Sequence, residues 1–225
     1  MKCRPGLALA IMTFAVSGTA CFDVHPVDAG PAVLDDFEDG DFTPSLRPFG
    51  DWYCGLWNPT ASIDCTHGQG FQSSAGLAAA FTLVDPPDGE QQRGTVELET
   101  DSETPIDLTG AAAITLNLRL PNAPVTSPGG AVMRFQLRCS TAIGEDGAPL
   151  RDFVVAQTVP YTGEWASVSL ALSNFGPVLW ASGTLRGGTP ACLRAVDGFQ
   201  IVFDPGLPDG QTLASTLSID NVRIQ

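Results

Sequence analysis

From Val33 onward, apolar residues recur at every second position. Ile114, Leu116, Leu118 and Leu120 alternate with Thr115, Asn117 and Arg119. Met133, Phe135, Leu137 and Cys139 alternate with Arg134, Gln136 and Arg138, and Phe199, Ile201 and Phe203 with Gln200 and Val202. Successive side chains on a strand point to opposite faces, so this period predicts half-buried β-strands. Turn-forming clusters separate the runs: Pro86-Pro87-Asp88-Gly89, Ser127-Pro128-Gly129-Gly130, Gly144-Glu145-Asp146-Gly147 and Pro208-Asp209-Gly210. No window carries a convincing amphipathic helical stripe. In the last run Leu217 and Ile219 share one phase while Val222 and Ile224 share the other, which predicts a β-bulge at Asp220-Asn221. The pattern predicts an all-β protein, a two-sheet antiparallel sandwich over residues 33–225.

Composition agrees. With 24 Gly and 18 Pro in 225 residues the chain is rich in turn formers, as a many-stranded protein is. The formal charge of −14 argues against nucleic acid and anionic membrane surfaces as partners. At the amino terminus, Lys2 and Arg4 precede the apolar run Leu7–Val16 and the small residues Ser17-Gly18-Thr19-Ala20. This is the three-part plan of a secretory signal peptide, expected over residues 1–20. The run is far shorter than the roughly 20 residues of a spanning helix. Cys21 after these small residues resembles the lipobox of bacterial lipoproteins, in which that Cys is lipidated. Gly18 departs from the aliphatic residue usual there, and the alternative is ordinary cleavage near Gly18 or Ala20. Residues 21–32, without periodicity and with two prolines, read as a tether.

Cys54, Cys65, Cys139 and Cys192 remain beyond the leader and Cys21. An even number in an exported chain favours disulfides, and four cysteines allow three connectivities. The local pairing Cys54–Cys65 with Cys139–Cys192 is the expected one. A zinc site is the rival; it lacks CxxC spacing and has two histidines to draw on, His25 and His67.

Several segments carry a family resemblance. Val33-Leu34-Asp35-Asp36-Phe37-Glu38-Asp39-Gly40-Asp41 opens the domain and Ser218-Ile219-Asp220-Asn221-Val222-Arg223-Ile224 closes it. Between them stand Pro105-Ile106-Asp107-Leu108-Thr109-Gly110 and Gly163-Glu164-Trp165. In order and spacing these resemble bacterial carbohydrate-binding modules with the galactose-binding-like jelly-roll fold. The resemblance implies a jelly roll with adjacent first and last strands, and a polysaccharide or glycan as partner. It also implies a structural Ca²⁺ joining those strands, held by Glu38, Asp41 and Asp220, with Asp36 as a further candidate. Five acids between Asp35 and Asp41 suit an ion that takes six to eight oxygens. The alternative is a solvated acidic turn.

Sugars stack on aromatic rings and bond to planar polar groups. Trp52, Tyr53 and Trp57, beside Cys54, are candidate stacking residues, with packing at the mouth of the sandwich as the alternative. Asn117, Arg134 and Gln136 are candidate polar partners if their strands line a concave glycan face; otherwise they belong to a solvated outer face. Trp165 reads as core and Trp180 as a weaker candidate. Serine hydrolase chemistry has only His67 within the domain and no G-x-S-x-G, and no Gly-rich phosphate loop leads into a helix. Paired carboxylates for glycoside hydrolysis stay open as an alternative. The expectation is a non-catalytic, monomeric glycan-binding domain on a bacterial envelope lipoprotein, anchored at the outer membrane and touching membrane through its lipid alone. A structural or adhesive envelope domain is the alternative, with a polysaccharide-active enzyme behind it.

Overall fold

The computed structural model describes residues 2–3, 21–22, 27–28, 31–46, 49–56, 62–84, 94–99, 104–121, 132–139, 142–148, 150, 154–160, 163–178, 184–204 and 212–225. Eleven of its strands matter here: β1 (Ala32–Asp35), β2 (Tyr53–Leu56), β3 (Ser62–Gly68), β4 (Gly76–Val84), β5 (Gly94–Glu99), β6 (Ala113–Arg119), β7 (Val132–Arg138), β8 (Val154–Pro160), β9 (Ala166–Ala171), β10 (Gly198–Asp204) and β11 (Thr212–Ile224). One short helix, α1 (Gly188–Leu193), carries Cys192.

The strands form two antiparallel sheets. Sheet I has the order β9-β6-β11-β4-β3, with β1 also paired to β11; sheet II runs from the two-residue strand Gly176–Pro177 through β8-β7-β10-β5-β2. The period-2 residues meet between them. Ile114, Leu116 and Leu118 of β6 and Leu217 and Ile219 of β11 are buried from one side, Phe135, Leu137, Phe199, Ile201 and Phe203 from the other. Phe81 and Phe203 bridge the layers with ring centroids 4.7 Å apart. Each such side chain contributes about 1.5–3 kcal/mol when fully buried, so this seam is the main favourable term in folding.

The chain ends pair as the family resemblance implies. Val222 stands opposite Asp35 and Ile224 opposite Ala32. The first half of β11 pairs with β4, from Thr212↔Val84 to Ile219↔Leu77. The change of neighbour falls at the expected bulge. The β6–β11 register shifts between Thr115↔Arg223 and Asn117↔Asp220, and Asn221 takes φ +52°. Two β11 residues there face one of β6, which swaps the faces of the residues beyond.

Both expected disulfides are present. Cys54–Cys65 has a Cα separation of 5.6 Å and Cys139–Cys192 of 5.4 Å, inside the range the bond requires. The first ties β2, the end strand of sheet II, to β3, the end strand of sheet I. The second ties the chain just after β7 to α1. Ahead of the domain, Lys2–Cys3 pairs with Cys21–Phe22, and Val27–Asp28 pairs in parallel with Ile106–Asp107. The rest of residues 1–30 lies outside the described residues. Among the described residues no helix is long and apolar enough to cross a membrane.

Candidate functional site

On sheet II the polar phase faces away from the core. The register lays out one row as Tyr53, Glu97, Gln200, Gln136 and Ala156, and the next as Gly55, Thr95, Val202, Arg134 and Thr158. Tyr53 is exposed at 41% and Arg134 is half-buried. Gln136 is only 3% exposed, and its Nε2 has no hydrogen-bond partner among the described residues. A buried amide donor left unpaired costs about 1–3 kcal/mol, so its retention calls for an explanation.

Arg138 lies one row further along the same face. Its Nε donates to Asp197 Oδ1 at 3.1 Å and its Nη2 to the Asp197 carbonyl at 3.4 Å. Asp197 is fully buried. The side chain passes over Gly198, where an added Cβ would stand 3.3 Å from Nε. Glycine therefore lets the guanidinium lie close to the sheet, and the buried carboxylate fixes its direction. Sequence reading missed Asp197, because its partner is 59 residues away in the chain.

Three expectations are corrected here. Asn117 does not join Arg134 and Gln136: it sits on β6 of sheet I, where its Nδ2 donates to Ser167 Oγ at 2.7 Å. Trp52 is core, not a stacking platform. It is 3% exposed, packs on Phe37 and Phe199 at centroid distances of 5.8 and 6.1 Å, and its Nε1 donates to Asp35 Oδ2 at 2.8 Å. Trp165, read as core, is half-buried and lies against Phe71. Trp57 and Trp180 lie outside the described residues. His67 is exposed and stacks on Phe42, with centroids 4.2 Å apart.

The acids expected to hold calcium are each placed by hydrogen bonds of their own. Asp35 points inward and also accepts from the Phe37 N–H at 2.8 Å. Burial pushes its pKa up to about 6; the two donors pull it back, and the charges of Asp39 and Asp36 raise it further. Asp36 and Asp41 cap local turns, accepting from the N–H of Glu38 and of Thr43. Glu38 accepts from Ser74 Oγ at 2.8 Å and the Ala75 N–H at 3.0 Å; the hydroxyl first, then the amide, hold its pKa below the usual value. Asp220, fully buried, accepts from the Phe71 N–H at 2.7 Å, Ser73 Oγ at 2.9 Å and the Asn221 N–H at 2.6 Å. Glu38 and Asp220 thus grip one loop, residues 70–75. Gly70 admits the Asp220 carboxylate, which an added Cβ would meet at 2.6 Å. All-oxygen donors suit a hard cation. Yet each of these carboxylates already accepts protein N–H or O–H groups, and among the described residues no three His, Cys, Asp or Glu side chains gather. The residues do not fit a four-carboxylate calcium cradle.

No protein-family description matches the sequence, and no curated protein does. Solved structures do. A family 11 carbohydrate-binding module of the cellulosomal cellulase Lic26A-Cel5E of Clostridium thermocellum superposes with TM-score 0.52 over 87% of this chain and 94% of that one, at 15% identity. A family 11 module from Clostridium thermocellum, solved in complex with a β-1,3-1,4-mixed-linked tetrasaccharide, gives TM-score 0.51 over 87% and 95%, at 16% identity. The protein therefore has the jelly-roll sandwich fold of the bacterial family 11 carbohydrate-binding modules.

Proposed function

We propose that the protein is an exported, non-catalytic glycan-binding lipoprotein, and that the outer face of sheet II is its glycan site. The observation that carries this reading is Gln136: a buried amide whose Nε2 has no partner among the described residues, in one register row with Gln200 and the exposed ring of Tyr53. Sugar sites combine such planar polar groups with an aromatic surface, and preorganised groups lose little entropy on binding. Arg138, held by Asp197 over Gly198, adds an oriented guanidinium to the same face. The fold shared with modules of which one is solved with a mixed-linked tetrasaccharide supports a polysaccharide as the ligand class. Export is supported by the leader-like start and by two disulfides, which persist in oxidising compartments. Anchoring at Cys21 in the outer membrane rests on the lipobox resemblance.

The test is affinity electrophoresis of the full mature chain in gels containing mixed-linkage β-glucan and a panel of other polysaccharides. Retardation by at least one glycan is expected, with Gln136→Ala weakening it about tenfold, the equivalent of roughly 1.4 kcal/mol. Unretarded migration on every polysaccharide would leave the structural or adhesive envelope role.

A further inference from the structure

Sheet I carries a groove on the face of the sandwich away from sheet II. It has a volume of about 630 Å³, inside the range of roughly 300–1,000 Å³ typical of small-molecule sites. The register explains its floor. Ser167 pairs with Asn117 and Ser169 with Thr115, and Thr115 pairs on its other side with Arg223. All five share the phase opposite to the buried Leu116 and Leu118. The bulge then turns Asn221 onto this face, at φ +52°.

The wall is the loop gripped by Glu38 and Asp220. Phe71 lines the groove and meets Trp165 with ring centroids 5.9 Å apart, tilted by 56°. Asp220 bonds the Phe71 N–H directly, so the ring's backbone is fixed by a buried carboxylate. The floor is preorganised as well: Asn117 is 8% exposed and donates to the Ser167 hydroxyl. Among the described residues the lining contains no Asp or Glu side chain and one side-chain cation, Arg223, whose Nη2 reaches Asn221 Oδ1 at 3.4 Å; Gln225 also lines it.

From this lining we infer that the groove is a second carbohydrate site, separate from the face of sheet II, for an uncharged saccharide. Hydroxyl and carboxamide groups both donate and accept, as a ring of sugar hydroxyls requires, and the Phe71 ring offers an apolar face for sugar C–H groups. A phosphorylated or sulfated ligand would meet one side-chain cation, and a cationic ligand no Asp or Glu side chain. Two sites on opposite faces would let one chain hold two glycan strands, which raises avidity without new contacts at either site.

The experiment is calorimetric titration of the full mature chain with soluble oligosaccharides, the mixed-linked tetrasaccharide among them, on wild type, Gln136→Ala, Ser169→Trp and the double variant. Ser169 is exposed on the outer face of end strand β9, so the indole fills the groove without entering the core. Two sites per chain are expected in the wild type. Gln136→Ala should weaken one of them about tenfold, and Ser169→Trp should weaken the other at least tenfold. A single wild-type site weakened by Gln136→Ala and untouched by Ser169→Trp would overturn the second site and keep the first. Binding untouched by Gln136→Ala but lost in Ser169→Trp would keep the groove and overturn the sheet II reading. Absence of binding by wild type to every oligosaccharide would overturn both.

Discussion

The indole of Trp52 donates its Nε1 proton to Asp35 Oδ2 at 2.8 Å in the interior of the sandwich, where both residues are 3% exposed or less. The two are 17 residues apart, one at the end of β1 and the other just before β2. The bond joins the opening strand of sheet I to the approach to the end strand of sheet II. It gives one of the two tryptophans of the aromatic cluster a structural task.

Trp52→Phe keeps much of the ring volume and removes the donor. Asp35 Oδ2 is then left buried without its N–H, at a cost of about 1–3 kcal/mol. Urea unfolding should show a lowered midpoint, while binding to a retained polysaccharide is unchanged. Lost binding at unchanged stability would return Trp52 to a ligand site.

Asp35 also sets a pH dependence. Its native pKa, about 6, lies above the ordinary value of 3.8. Between those values the native state holds more of the proton than the unfolded chain. Stability from this group is therefore complete below about pH 4 and is lost as pH rises through about 6. Glu38 acts in the opposite sense: its depressed pKa gives stability above the ordinary 4.5 that is lost as pH falls through the depressed value. Denaturation midpoints measured from pH 7 down to pH 5 should rise in wild type relative to Asp35→Asn. Parallel profiles for the two proteins would contradict the raised pKa.

Chelation tests the acid cluster. Glu38 and Asp220 hold the 70–75 loop through the Ser74, Ala75, Phe71 and Ser73 donors. The melting temperature should therefore be the same in excess chelator and in millimolar Ca²⁺. An ion bound only by the native state adds about 2.7 kcal/mol at one hundred times its dissociation constant, so a bound calcium would show plainly as a melting temperature that falls in chelator.

The Cys54–Cys65 bond staples the two sheets at one edge. Replacing both cysteines with serine removes a short-loop cross-link that the chain-entropy account values at about 3 kcal/mol. Equilibrium unfolding should report a loss near that size. Tyr53 is exposed beside Cys54, so glycan retardation should weaken in the same variant.

Alternation is a local property of an extended chain, and everything that depends on it alone was legible in the residues. The strands of Ile114–Leu120 and Met133–Cys139, the bulge at Asp220-Asn221 and the short-range disulfide follow from spacing along the sequence, whereas the pairing of the chain ends was implied by the family resemblance of their motifs. Which sheet a strand joins is settled by hydrogen bonds to strands far away in the chain. Hence Asn117 and Gln136, alike as polar positions between apolar neighbours, face opposite sides of the molecule. For the same reason the acids between Asp35 and Asp41, continuous in sequence, divide among a core bond, local turns and a distant loop. Arg138 meets Asp197 across 59 residues, and Phe71 is fixed by Asp220 across 149. Sequence alone determined which residues alternate and where the chain must turn. Tertiary structure decided which carboxylates, amides and rings meet, because burial and partner choice depend on the packing of the whole sandwich.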